Sequence, residues 1–287
     1  MTKHLRRTLG ALALALGLVA APALSASAVT GGAPDGEGHP NVGLISFYDG
    51  TGRYRCSATL VSPTVVLTAA HCTAGTVGRT LVTFRSVIAE QAPSPLPEAA
   101  DPAAGFTPAE IATFPGGLSG TAYTHPAYSD FTDLDNWNDV GVIVLDAPVT
   151  GITPARIAPS RYLDAFAAPR LSKTLFESVG YGTEVRKPTS GPQKPTPQSY
   201  PLIRRVAVSP GQKLTPQILQ VNGNINDTRG TGGTCFGDSG GPSFHGQYVV
   251  TVTSYGYTDN CRYLGGHQRV DIPVVQDWLR TFGLTFG

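Results

Sequence analysis

A serine hydroxyl becomes a useful nucleophile only when something takes its proton, and three short segments of this chain hold the parts for that. Thr68-Ala69-Ala70-His71-Cys72 puts a histidine at the end of an apolar stretch. Asn138-Asp139 stands immediately ahead of the apolar run Val140–Leu145. Gly237-Asp238-Ser239-Gly240-Gly241-Pro242 sets a serine in a tight glycine-rich loop. Histidine is the usual base for a serine hydroxyl. A buried carboxylate fixes the imidazole tautomer and stabilises the cation that forms. Backbone N–H groups converging on one point take up the oxyanion, and glycines beside the serine let a substrate come close. Each element alone is an ordinary structural feature: a strand-end histidine, a turn aspartate, a loop serine. Their occurrence in one chain, in the order His, Asp, Ser, points to nucleophilic catalysis.

The elements that must position these residues are short strands. The chain has 287 residues, 41% hydrophobic and 14% charged, with a formal net charge of +1. Its 34 glycines and 24 prolines suit many turns and exclude a purely helical protein. Segments such as Val42–Phe47, Ala58–Val61, Val65–Ala70, Thr80–Ile88, Val140–Leu145, Lys173–Tyr181, Ile203–Val208 and Tyr248–Ser254 read as strands, being short and rich in β-branched or aromatic residues. The best helical pattern is at the C-terminus. There Asp271 would cap, Pro273 would sit in the first turn, Val274, Val275, Trp278 and Leu279 would share a face, and Gly283 would stop the helix. Residues 91–117 hold six prolines and read as a solvated surface insertion; residues 186–201 read as a basic, Pro-rich loop.

Residues 1–28 are expected to be a secretory signal peptide. Lys3, Arg6 and Arg7 form a basic start, Leu9–Ala21 is an apolar run too short to span a bilayer comfortably, and Ala26-Ser27-Ala28 supplies the small-x-small cleavage pattern. The Arg6-Arg7 pair leaves the export route open. No other stretch could cross a membrane, so a secreted, extracellular product is expected. No Lys/Arg stripe suggests nucleic acid. Four cysteines in an exported chain can form disulfides in three pairings, of which Cys56 with Cys72 and Cys235 with Cys261 is the local solution. No Cys-x-x-Cys pair or carboxylate cluster argues for a metal, and no cofactor is expected. Asn226-Asp227-Thr228 fits a glycosylation acceptor only in a host with that machinery.

On these motifs the chain resembles the chymotrypsin/trypsin family of secreted serine endopeptidases. TAAHC and GDSGGP match the family's histidine and serine motifs, and NDVGVIVL matches its acid motif with conservative changes. Weaker echoes are His125-Pro126-x-Tyr128, Gly180-Tyr181-Gly182 and Ser254-Tyr255-Gly256. The resemblance implies an all-β fold of two six-stranded antiparallel β-barrels with a C-terminal helix. Residues 29–155 would form the N-terminal barrel and residues 156–287 the C-terminal one, with the cleft between them.

It also implies roles. Ser239 is the nucleophile, His71 the general base, and Asp139 its orienting acid, preferred over Asp133 and Asp135 because only Asp139 directly precedes the apolar strand. Gly237 and Ser239 supply the oxyanion hole, and Ser254 supports Asp139. The disulfides would be Cys56–Cys72 at the histidine loop and Cys235–Cys261 framing the specificity pocket. Gly233, Thr234, Ser254, Tyr255, Gly256 and Gly265 would line that pocket. Without an acid at Gly233 it should not take Lys or Arg, and its small walls favour a bulky apolar side chain. His267 nearby keeps an acid-preferring site in view. Cleavage after Ala28 would expose Val29, whose ammonium would pair with Asp238. A protein or peptide is the expected partner, and the protein is expected to be a monomer.

Two other readings start from the same residues. An esterase of the α/β-hydrolase type shares Gly-x-Ser-x-Gly, but needs the order Ser, acid, His, and only 48 residues follow Ser239. A catalytically inactive binding protein on the same fold would usually lack one of the three residues, and none is missing.

Overall fold

The computed structural model describes residues 31–166, 168–185, 198–224, 229 and 231–287. The leader, Val29, residues 186–197 of the Pro-rich loop and the Asn226-Asp227-Thr228 triplet lie outside the described residues.

Thirteen strands organise the site. They are β1 (Ala33–Pro34), β2 (Val42–Tyr48), β3 (Arg53–Ser62), β4 (Val65–Thr68), β5 (Val77–Thr83), β6 (Leu118–Thr124) and β7 (Gly141–Leu145). Then come β8 (Leu175–Gly180), β9 (Arg205–Leu214), β10 (Ile218–Asn222), β11 (Pro242–His245), β12 (Tyr248–Gly256) and β13 (Leu264–Arg269). Strands β2-β3-β4-β7-β6-β5 close into one antiparallel ring. Strands β9-β8-β11-β12-β13-β10 form a second, closed by pairing of β10 with β9. The fold is therefore two six-stranded β-barrels, and a helix, α2 (Pro273–Arg280), ends the chain.

Side chains alternate across each strand, and here both faces are buried. Val66 and Ile143 point into the first ring with Ile45, Leu60 and Val82. Their neighbours Val65, Leu67 and Val142 point out of it, joining Val179, Phe244, Val249 and Val252 of the second ring in a shared core. The continuous apolar runs thus serve two cores at once. β1 precedes the first ring in sequence but pairs with β9 of the second, Ala33 opposite Val206 and Pro34 opposite Arg205.

Three expectations are corrected. The C-terminal helix is not capped by Asp271; Ile272 occupies the cap position without a side-chain bond. Asp271 is fully buried instead, accepting from Arg269 Nε at 2.9 Å and Leu163 N at 2.8 Å. The buried face of α2 is Val275, Gln276 and Leu279, while Val274 is exposed, because Gln276 turns inward to donate to Ala158 O at 2.9 Å. Residues 91–117 are not merely solvated. Leu96, Ala99, Phe106, Ile111 and Phe114 join Leu44, Tyr48 and Leu81 in a third cluster. Within this segment a short helix, α1 (Pro108–Ala112), is held by a capping box between Thr107 and Glu110. Each buried large apolar side chain contributes roughly 1.5–3 kcal/mol, which outweighs the turn-forming bias of the prolines.

Candidate active site

His71 lies in a 3₁₀ turn, Ala70–Cys72, directly after β4. The Cys56–Cys72 disulfide ties that turn to β3, and a second disulfide joins Cys235 to Cys261. Asp139 precedes β7, which pairs with β4 from Thr68 opposite Gly141 onward, so strand pairing alone brings acid and imidazole together. Asp139 is completely buried and accepts twice from His71, from the backbone N–H at 2.9 Å and at Nδ1 at 2.8 Å. Two anchors on one carboxylate fix the ring's orientation and its tautomer. Ser254 Oγ donates to Asp139 Oδ2 at 2.5 Å and itself accepts from Trp137 Nε1 at 2.9 Å. Asp139 N donates to Gln268 Oε1 at 3.0 Å. Of the three acids weighed, only Asp139 reaches His71. Asp133 accepts from Asp135 N and Asn136 within its own turn, and Asp135 is exposed.

Ser239 comes from the loop between β10 and β11, and backbone contacts seat it beside the histidine turn. Ser57 N donates to Ser239 O at 2.8 Å, and Ser57 Oγ donates to Gly237 O at 2.9 Å. Ser57 adjoins Cys56, and so is linked through the disulfide to the residue after His71. Gly240 packs so closely on β4 that a Cβ would stand 2.0 Å from Thr68 Oγ1, and its φ of +74° is left-handed. No Ser239–His71 side-chain hydrogen bond forms among the described residues; such contacts commonly close only around a substrate. The N–H groups of Gly237 and Ser239 donate to no acceptor among the described residues.

Asp238, behind this loop, is buried, and its two oxygens accept from Gly182 N and Cys235 N, each at 2.8 Å. A Cβ on Gly182 would fall 2.1 Å from the carboxylate, so glycine is required there. Burial pushes the Asp238 pKa up to about 6, against these two amides and the charges of Arg55 and Arg205.

Next to Ser239 lies a cavity of about 180 Å³, lined by all six residues assigned to it from the sequence: Gly233, Thr234, Ser254, Tyr255, Gly256 and Gly265. Phe236, Thr253, Asp259 and Tyr263 also line it and were not foreseen. Phe236, next to Cys235, is the one the motif's neighbourhood could have suggested. His267 lies behind the wall, fully buried, its Nδ1 2.7 Å from Ser243 Oγ and its Nε2 3.5 Å from Thr234 Oγ1. Burial pulls its pKa down to about 4, which leaves a neutral imidazole at pH 7. Phe131 was also unforeseen; its ring lies 5.5 Å from that of His71 and 5.1 Å from that of Trp137. Among the described residues, the cluster of possible metal donors is Cys56, His71 and Cys72, whose sulfurs are joined in the disulfide.

Two interlocked barrels with a histidine–carboxylate pair facing a serine loop define a chymotrypsin-like serine protease scaffold. The family model described as Trypsin matches residues 31–94 and 115–279, and the chain belongs to that family. It is similar to brachyurin of Leptuca pugilator, with 29% identity over 234 residues covering 79% of this chain and 87% of that protein. Its fold also superposes on a solved structure titled HL collagenase, with a TM-score of 0.59 and 17% identity, covering 89% of this chain and 98% of that one. The unmatched residues between 94 and 115 fall within the Pro-rich insertion.

Proposed function

We propose that the chain is a secreted serine endopeptidase acting through an acyl-enzyme, with Ser239 as nucleophile, His71 as base and Asp139 as its orienting acid. The observation that carries this reading is Asp139, a carboxylate with no exposed surface that is bonded twice to one histidine beside a serine flanked by two undirected amides. In the proposed cycle His71 takes the Ser239 proton as Oγ attacks the peptide carbonyl. The N–H groups of Gly237 and Ser239 hold the oxyanion. His71 then returns the proton to the leaving amine, and water repeats the sequence to release the acyl group.

Removal of residues 1–28 by signal peptidase would be the activating cut. The placement of β1 supports this: Pro34 pairs with Arg205, which pairs in turn with Gly180 of β8, and Gly180 abuts the Asp238 carboxylate. Four residues of extended chain span about 13 Å, so Val29 has the reach to bring its ammonium to Asp238. An unpaired buried carboxylate is costly, and the cation would offset that cost and set the oxyanion loop.

On the acyl side of the scissile bond, the glycine walls and the lack of an acid at Gly233 favour a bulky apolar side chain over Lys or Arg. Asp259 stands at the exposed rim, where water screens it. Each methylene buried in such a pocket is worth about 1–3 kcal/mol. The deciding experiment is labelling of the processed protein by a fluorophosphonate probe, with Ser239→Ala as control, followed by cleavage profiling on a peptide library. Labelling lost in Ser239→Ala supports the reading. A processed, folded protein that neither labels nor cleaves would overturn it.

A further inference from the structure

Arg55 lies beside Gly237 and does not line the specificity cavity. On β3, Arg53, Arg55 and Ser57 share one face. Ser57 touches the nucleophile loop, and Arg55 stands one pleat further along, its Nε 3.6 Å from where a Cβ on Gly237 would be. Beside it opens a second cavity of about 280 Å³, lined by Arg53, Arg55, Ser46, Ser94 and Tyr200. Arg53 is already engaged, with Pro97 O at 2.8 Å and Glu98 at 3.2 Å. Arg55 is half-buried, yet its guanidinium makes no ion pair or hydrogen bond among the described residues. The buried Asp238 acts on it only through space, and the amides of Gly182 and Cys235 occupy that carboxylate. A guanidinium partly removed from water, with no carboxylate in contact with it, is an anion site in waiting.

The direction of the substrate follows from the cavities. With the acyl-side residue in the pocket between Gly233 and Gly265, the proposed proton transfer from His71 to the leaving amine puts that amine on the side of the histidine turn, which the Cys56–Cys72 disulfide anchors. Arg55 precedes Cys56 in β3, so its backbone borders that anchored turn. We propose that Arg55 and its cavity form a subsite for an acidic side chain, Asp or Glu, one or two residues beyond the scissile bond. The site rests on the peptidase reading and adds to it a charge preference on the leaving-group side.

The test uses quenched fluorescent peptides identical on the acyl side and carrying Asp, Glu, Asn, Gln or Lys at the first or second position after the cleaved bond. For the processed enzyme kcat/KM should favour acid over amide about five- to tenfold, as a partly buried ion pair would give. Raising NaCl from about 0.05 to 0.5 M should erode that ratio, as screening requires. Arg55→Gln should bring the acid-to-amide ratio to about one, Arg55→Glu should invert it, and Arg55→Lys should retain most of it. Because each ratio is internal to one protein, a change in the amount of active enzyme does not alter it. A salt-insensitive ratio near one in the wild type would overturn the inference, and so would an unchanged ratio in Arg55→Gln. Hydrolysis of a simple ester lacking any leaving-group residue separates the two readings. Ester turnover without charge preference sinks only the subsite, whereas no ester turnover takes the peptidase reading down with it.

Discussion

Replacing Ser254 with alanine removes one hydroxyl that serves two buried partners. It donates to Asp139 Oδ2 at 2.5 Å and accepts from Trp137 Nε1 at 2.9 Å. A hydrogen bond to a charged group contributes about 1.5–3 kcal/mol, and a buried donor left without an acceptor costs about 1–3 kcal/mol. Asp139 would keep both bonds from His71, at 2.9 and 2.8 Å, so the lower part of the first range applies. The expected loss is then about 3 kcal/mol, a fall in Tm of roughly 6–12 °C for a protein of this size. Since His71 stays oriented, kcat should fall only about tenfold, with KM little changed. Trp137→Phe deletes the other end of the same bond. Calorimetry or urea unfolding of wild type, both single variants and the double variant gives the coupling directly. Trp137→Phe should cost about 1–2 kcal/mol less in the Ser254→Ala background than in the wild type. Additivity within about 0.3 kcal/mol, or an unchanged melting temperature in Ser254→Ala, would refute the relay from indole through hydroxyl to carboxylate.

Three further outcomes are expected. Gly240→Ala would drive a Cβ into Thr68 Oγ1 and the backbone of Ser57 and Ala69, so it should abolish probe labelling and lower stability by about 3 kcal/mol or more. For His39, burial opposes the charged form, but Asp35 and Glu177 outweigh it and raise the pKa from 6.5 to about 9. Its stabilising contribution is therefore complete below pH 6.5 and vanishes as pH climbs through 9. The melting temperatures of wild type and His39→Gln should differ most near pH 6 and converge by about pH 10. For Asp238 the folded-state pKa is raised from 3.8 to about 6, so a chain still extended ahead of Val29 should lose stability as pH rises through that interval. Asp238→Asn should remove this slope and stabilise the extended chain at pH 8, yet leave the trimmed protein inactive; melts and peptide hydrolysis check the two halves.

His71, Asp139 and Ser239 were legible because immediate neighbours mark each of them, an apolar strand on one side or glycines on the other. The pocket glycines were legible for a similar reason, since they lie at short, fixed offsets from Ser239 and Ser254. What stayed hidden depends on contacts between distant parts of the chain. The indole of Trp137 meets Ser254 across 117 residues. Asp259 reaches the pocket rim in the loop that the Cys235–Cys261 link closes. Strands β6 and β13 were missed because LSGTAYT and LGGHQR carry too few large apolar residues to show a period, and their ring neighbours hold them in place. Residues 91–117 misled in the other direction. Proline spacing dominated the reading, while Leu96, Phe106, Ile111 and Phe114 are spaced too irregularly to announce a buried face.

The backbone bond from Ser57 to Ser239, with Gly240 pressed onto Thr68, joins the two rings at the proposed nucleophile. Any separation of the halves must stretch that bond along with the apolar core the two rings share. Accommodation of differently shaped peptides then falls to the margins, to the turn from Ser129 to Asn136 and the stretch from Tyr257 to Tyr263. Phe131 packs on His71 in the first of these margins and Cys261 is tied to Cys235 in the second, so a graft of a new preference that keeps those two residues would leave the join beneath them in place.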